Sequence, residues 1–460
     1  VIFLIQRGLA AGLVIYTPSV VLSALLGWSE AWTIALMGFA ALGYTAFGGM
    51  RAVLSTDVKQ MLVMVVGLII ALVFAVRSLP ESLSVGEAWG VASRLGRTTL
   101  IDTTWDPTER YTIWSSLIGG SFIFLAYFGC DQSQAQRLLA GRSLRHVRGA
   151  LALNAVAKIP FQFVVLAIGT LLFVGQLYAP PPPSFLPDEA RAIESHRDDP
   201  GLRAALDRYD RSRADITRAG ATATDDPAAW RRVQELLAEG QRARVEVRGL
   251  AIGLRDGEGS TAASEPAELP SETNYVFPRF IIEALPVGLV GLLFAAIFAA
   301  ALSSIDSELN AMATVWSIDI WHFAFRGGTS AHEVRESRVA TVAIGLAVTA
   351  CAYWFSRSTQ FGSSVIEAVN NIGAYFYGSI LGVFVLAFTG RRANGHGAFV
   401  GLLAGMSSVA LLDAWPAIHE AIWGEPVAPV AFLYFTTVGT VATVITGWIV
   451  SAIAPGRSTE

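Results

Sequence analysis

Again and again the chain returns to an apolar run long enough to cross a bilayer. About ten such runs occur, at roughly 3–27, 31–48, 57–77, 111–135, 149–176, 284–321, 338–355, 363–389, 397–415 and 428–453. In hydrocarbon no water satisfies backbone amides, so segments of this length and polarity can only be helices. Several exceed the roughly 20 residues that a bilayer needs and are expected to tilt or to extend into water. Charged residues make up 15% of the sequence, against about 25% in a soluble domain, which places the chain in the membrane class.

Lysine and arginine in the short loops set the expected sidedness. Arg51 and Lys59, then Arg137, Arg142, Arg145 and Arg148, then Arg326, Arg335 and Arg338, then Arg391 and Arg392 fall on one side of an alternating path. That side is read as cytoplasmic, with both chain ends, including Glu460. The opposing loops at 28–30 and 416–427 carry no Lys or Arg. Trp28, Trp32, Trp415, Trp423 and Tyr178 sit near span ends, where interfacial aromatics collect. The expected location is a cell membrane, a bacterial inner membrane, crossed many times.

Residues 179–276 break the pattern. They are polar, open with PPPP and are rich in Arg, Asp, Glu and Ala. Opposite charges recur at helical spacing over 187–218 and 227–254, which favours exposed helices. We expect an external helical hairpin with a flexible tail at GEGSTAASEPAELPSE, serving either as a module for an unknown partner or as a tolerated insertion. The domain reading is a membrane core over 1–178, the insert over 179–276 and a second part of the core over 277–460.

Within that second part, the stretch 284–321 changes character along its length. It starts as LPVGLVGLLFAAIFAAAL and continues SSIDSELNAMATVWSIDIW. At 3.6 residues per turn, Ala300, Ser303, Ser304 and Ser307 share one face, with Asp306 beside it. Small residues at Ala299 to Ala301 let another backbone approach. Oxygens clustered at membrane depth can replace the hydration shell of a hard cation. The alternative is a helix leaving the membrane with its hydroxyls bonded back to carbonyls one turn earlier.

That stretch, AAALSSIDSELNAMATVWSIDIW, closely resembles the ion-site helix of the sodium:solute symporter family, whose members include sodium/glucose cotransporters. GGMRAVLSTDVKQ, YFGCDQSQAQRLLAGRSL, NAVAKIPFQF, NYVFPRFIIEALPVGLVGLL and AVNNIGAYFYGSILGVFVLAF running into GRRANGHGAFVG resemble further segments of the family in the same order. The resemblance implies an all-α polytopic membrane protein with a LeuT-type inverted-repeat helical bundle. It implies Na+ as the coupling ion, held by the Ala300 carbonyl and the Ser303 and Ser304 hydroxyls, and in some members a second sodium, here at Asp57, Asp306 and Ser307. It also implies solute contacts at Asp131 and Gln132, at Lys158 and at Asn370 and Asn371.

Each of these has a plainer reading. Asp57 can cap a helix start. Asp131 can pair with Arg137 or Arg142, and Lys158 can snorkel toward the cytoplasmic face. Asn370 and Asn371 can cap a span, and Arg7, within the first apolar run, is read as snorkelling. A break near Gly119, Gly120 or Gly129 would explain how Asp131 is tolerated in a span.

The function implied is secondary active transport. Inward sodium movement would drive uptake of a small polar organic solute, such as a sugar, a sialic-acid-like acid, a carboxylate or an amino acid, by alternating access. A membrane solute sensor and an ion channel are the rivals. Enzyme motifs are missing: there is no GxSxG, HExxH or phosphate loop, and the six histidines lack metal-ligand spacing. No basic tail or aromatic-basic patch points to nucleic acid, and Cys130 and Cys351 imply no disulfide framework. The chain opens VIFLIQRGLAAGLV, without Met and already inside an apolar run. The resemblance places the family's first two core helices and an earlier peripheral one upstream of Val1.

Overall fold

The structure, a computed structural model, describes residues 1–99, 101–179, 181–223, 226–257, 269–322, 330–357, 365–390 and 393–454. Arg326, Arg391, Arg392, Glu460 and most of the GEGSTAASEPAELPSE tail lie outside the described residues. Among the described residues every regular element is helical. In chain order these are α1 (Ile2–Leu26), α2 (Glu30–Arg77), α3 (Val85–Arg94), α4 (Ser115–Gly129), α5 (Gln132–Leu139), α6 (Leu144–Tyr178) and α7 (Pro187–Ser195). Then come α8 (Pro200–Thr222), α9 (Pro227–Asp256), α10 (Thr273–Ala284) and α11 (Val287–Trp321), the last ending in a π turn. The final four are α12 (Ser330–Arg357), α13 (Val365–Thr389), α14 (Gly395–Trp423) and α15 (Phe435–Ile453).

Nine segments among the described residues are long and apolar enough to cross a membrane, and α4 is a shorter apolar helix. Two of the nine lie in α2, which is two spans joined at Gly49. There φ is 55° and ψ −163°, a conformation essentially confined to glycine. Apolar side chains on the outer faces, such as Val58, Leu62 and Ile69, are exposed, as spans that face lipid or another helix require.

The sodium-helix candidate α11 is enclosed by α1, α2 and α12. Ala11 and Ile15 of α1, Ile34, Met37 and Ala41 of α2, Ile305, Leu309 and Met312 of α11, and Val348 and Ala352 of α12 form one buried cluster. The last three helices are drawn together differently, by small residues. Along α14, Gly397, Gly401 and Gly405 recur every fourth position and face Gly439, Thr443 and Gly447 of α15.

The insert is a helical hairpin, α8 against α9, closed by Leu202, Ala205, Tyr209, Val247 and Leu250. It is not a free module. Ile216, Trp230, Val233 and Leu236 continue into a cluster with Val91 of α3 and the adjoining Leu95, Leu171 and Val174 of α6 and Ile281 of α10.

The glycine seam gives a direct expectation. A Cβ at Gly401 would stand 2.5 Å from the Thr443 carbonyl oxygen, and one at Gly405 2.7 Å from that of Gly439. Gly401→Leu should therefore cost about 1–3 kcal/mol as the helices are forced apart. Gly395→Ala, where an added carbon meets nothing within 4 Å, should be neutral. Thermal unfolding in detergent would measure both.

Candidate functional site

Asp57 opens the second span of α2 and meets α11 rather than simply capping its own helix. The Ser303 hydroxyl donates to its carboxylate at 2.5 Å. Arg137, near the end of α5, closes the same group from a third side. Its guanidinium lies 3.2 Å from Asp57 and donates to the Ser303 carbonyl at 3.3 Å and to the Ser307 hydroxyl. Ser307 in turn donates to the Ser303 carbonyl at 2.8 Å and to Asp306 at 3.2 Å. Asp306, fully buried, faces away toward Tyr44, whose hydroxyl donates to it at 2.9 Å. Ser304 is exposed and donates to the Ala300 carbonyl at 3.3 Å. The structure thus brings Asp57, Ser303 and Ser307 together and links Asp306 to them through Ser307, while Ser304 and Ala300 lie on a more open face.

The break in the α4–α5 segment falls after Gly129, at Cys130 and Asp131. Gly119 and Gly120 instead lie in the π turn that opens α4. Asp131 caps α5, accepting from the Ser133 amide at 2.8 Å and the Ser133 hydroxyl at 2.6 Å. Its charge is met by neither Arg137 nor Arg142. The partner is Arg7, which is 4% exposed and also contacts Glu308 of α11 at 3.0 Å. Snorkelling is therefore the wrong account of Arg7: its guanidinium points into the bundle, between the rings of Tyr127 and Tyr377 at 6.0 and 5.7 Å from their centroids. One guanidinium faces two carboxyl groups here.

Sequence reasoning missed Arg7, Glu308 and Tyr44. The available signal was a sum: Asp131, Asp306 and Glu308 all fall in spans, and buried carboxylates need a cation or a strong donor. Arg7 is a cation within an apolar run, as is Lys158.

The remaining solute candidates are spread out. Gln132 is half-buried at the start of α5. Lys158 is exposed on α6, with its amine 5.6 Å from the Phe124 centroid, in a cleft of about 680 Å³ that Phe128, Asn154 and Gln162 also line. No carboxylate among the described residues pairs with it. Asn370 is exposed on α13, and Asn371 buries a side-chain oxygen that has no hydrogen-bond donor among the described residues.

The model of the sodium:solute symporter family matches residues 2–193 and 265–405. The chain belongs to the sodium:solute symporter family. Between its two segments the match leaves out 194–264, which contain the whole of the α8–α9 hairpin. The sodium-dependent multivitamin transporter of Oryctolagus cuniculus is 29% identical over 431 residues, 93% of this chain and 53% of that protein. The sodium/sialic acid symporter NanT of Aliivibrio fischeri is 31% identical over 186 residues, 40% of this chain and 34% of that protein. Among solved structures, the substrate-bound outward-open state of a Na+-coupled sialic acid symporter superposes with a TM-score of 0.66 at 20% identity, covering 99% of this chain and 74% of that one. This establishes the shared LeuT-type fold. The chain spans about half the length of the multivitamin relative it matches.

The buried triad makes an ordered prediction. Arg7→Met strands two buried carboxylates and should destabilise by about 3–5 kcal/mol. Glu308→Gln keeps the Arg7–Asp131 pair and should cost about 1 kcal/mol. Thermal unfolding of both variants in detergent checks the order.

Proposed function

We propose that the chain is the core of a secondary active transporter that couples inward sodium movement to uptake of a small polar organic solute. The observation that carries this reading is the convergence of Asp57, Ser303 and Ser307 on a guanidinium. A carboxylate, hydroxyls and the Ser303 carbonyl at membrane depth already hold one positive charge, so their chemistry suits a cation. Sodium would bind at Ala300, Ser303 and Ser304, and a second ion at Asp57 and Ser307 with Asp306 behind. The second ion would displace Arg137, because both need the same oxygens.

On the solute side, Asp131 is engaged by Arg7 and Ser133, so it shapes the site rather than offering a free carboxylate. Lys158 keeps an amine without a carboxylate partner among the described residues, beside the Phe124 ring. With Gln132, Asn370 and Asn371 supplying amides, this favours a solute that carries a carboxylate. Relatives named for monocarboxylates and sialic acid support that choice over a neutral sugar. In the orientation we propose, the Arg142–Arg148 loop and the C-terminus face the cytoplasm and the insert lies outside a bacterial inner membrane.

The energetics are adequate. One charge moving through 100 mV supplies about 2.3 kcal/mol, or roughly 50-fold accumulation. A second sodium would roughly square that factor.

The test is uptake of radioactive sodium by the whole protein in proteoliposomes, with and without a panel of organic acids and sugars. Solute-dependent sodium entry that disappears in Ser303→Ala is expected, and Asp57→Asn should weaken apparent sodium affinity about tenfold, the worth of one charge-assisted contact. Sodium entry independent of solute would point to a channel. Solute binding without accumulation would point to a sensor.

A further inference from the structure

Two cavities meet where the insert lies on the membrane helices. The larger, about 940 Å³, runs between Val165 and Leu172 of α6, Leu68 of α2 and Phe277 of α10. The smaller, about 540 Å³, lies between the hairpin and the end of α6. Phe173, Gln176, Gln241 and Arg244 line both, so the two form one compartment with an apolar and a polar end.

The charge in this compartment is lopsided. Arg97, Arg213, Arg242, Arg244 and Arg248 line it, against a single lining carboxylate among the described residues, Glu272. Glu272 takes Arg244 at 2.6 Å and Arg248 at 3.4 Å, and Glu189 takes Arg248 at 2.7 Å. The other three have no carboxylate among the described residues. Arg97 lies over the Phe173 ring at 4.8 Å, Arg242 reaches only the Ala238 carbonyl at 3.4 Å, and Arg213 donates to the Gln176 carbonyl. Burial pushes the Arg213 pKa down, with Tyr209 acting against that and Arg244 adding to it. At the apolar end Val165 and, next to the lining residues, Leu166 and Ile69 are 40%, 54% and 55% exposed on the span surfaces.

We propose that this compartment binds one anionic phospholipid from the leaflet on the insert's side. Its phosphate sits where the two cavities meet, with Arg97 and Arg213 on the side of the smaller and Arg242 on the side of the larger, and an acyl chain lies along Leu68, Val165 and Leu172. Guanidinium forks match phosphate oxygens. A zwitterionic lipid would bring its own cation among the arginines and add no net negative charge, and a small soluble anion would leave the apolar half unfilled. The helices that carry Arg213 and Arg242 lie within 194–264, which the family match skips between its two segments. The proposal rests on the membrane embedding and not on which solute is carried, so it stands or falls separately from the transport reading.

The test is native mass spectrometry of the whole protein in detergent with phosphatidylglycerol, phosphatidylcholine or oleate added. Phosphatidylglycerol should be retained about tenfold over phosphatidylcholine, the worth of one charge-assisted contact. Arg97→Gln with Arg242→Gln should bring the two lipids to parity, and the corresponding lysine pair should keep the preference. Gly169→Phe places a ring in the apolar half, where an added Cβ meets nothing within 4 Å, and should lower retention of phosphatidylglycerol. Equal retention of the two lipids by the unaltered protein overturns the proposal. So does a glutamine pair that keeps the preference, or oleate that displaces phosphatidylglycerol at equal concentration. If the glutamine pair fails to fold, the lipid comparison and Gly169→Phe still decide.

Discussion

Arg7 is a guanidinium at the depth of the bilayer, and the bundle is arranged around answering its charge. An unpaired arginine there would cost at least about 2.5 kcal/mol on insertion scales. Arg7 is met by Asp131, at the break between α4 and α5, and by Glu308, in the middle of α11. Three segments far apart in sequence are thereby pinned at one point. The broken segment gains most from this, since Cys130 and Asp131 leave the helical ladder and a loose turn at that depth would expose backbone to hydrocarbon. Asp131 serves both needs, capping α5 with one oxygen and pairing with Arg7 through the other.

Small residues decide whether such pairs can form. Asp57 reaches Ser303 only because α2 and α11 lie close along their length. At Gly67 an added Cβ would stand 2.7 Å from the Ala296 side chain. Asp57 meets Ser303 at one end of this contact and Gly67 meets Ala296 further on, so the two helices run antiparallel. Two contact points set their relative register as well as their spacing. Without strong hydrophobic driving force between helices in lipid, that closeness rests on packing of glycine and alanine and on the polar pair itself.

Much of this was readable from the sequence, and the unreadable part has a common cause. Apolar run length located the spans, and the 3.6-residue period put Ser303 and Ser307 on one face, where both touch the Asp57 cluster. Opposite-charge spacing identified the hairpin helices. Long-range pairing was not legible. Arg137 was considered as a partner for Asp131, six residues away, but reaches Asp57 across the bundle. Arg7 looked like a snorkelling residue because its local sequence carries no trace of Asp131 or Glu308. The position of the helix break was equally hidden, since three glycines offered themselves and backbone geometry chose the last. The insert's attachment to α3 and α6 depends on which apolar positions of an amphipathic hairpin find a wall, and periodicity identifies a face without naming what covers it.

The two charged clusters are joined by one short element. α5 begins at Asp131, held by Arg7, and carries Arg137 near its other end, held by Asp57, Ser303 and Ser307. A cation that took those oxygens would compete with Arg137 and so loosen one of the ties between the far end of α5 and α11. Any change at Arg7 acts on the same helix from its beginning. By linkage, the preference of one end for a given position of α5 is felt equally at the other. Gln136 adds to the tie, accepting from Asn310 of α11 at 3.1 Å. An eight-residue helix with charge at both ends and a break behind it is short enough to move as a unit. It therefore connects the oxygens that suit an ion to the segment break, where a transporter of this fold would meet its solute.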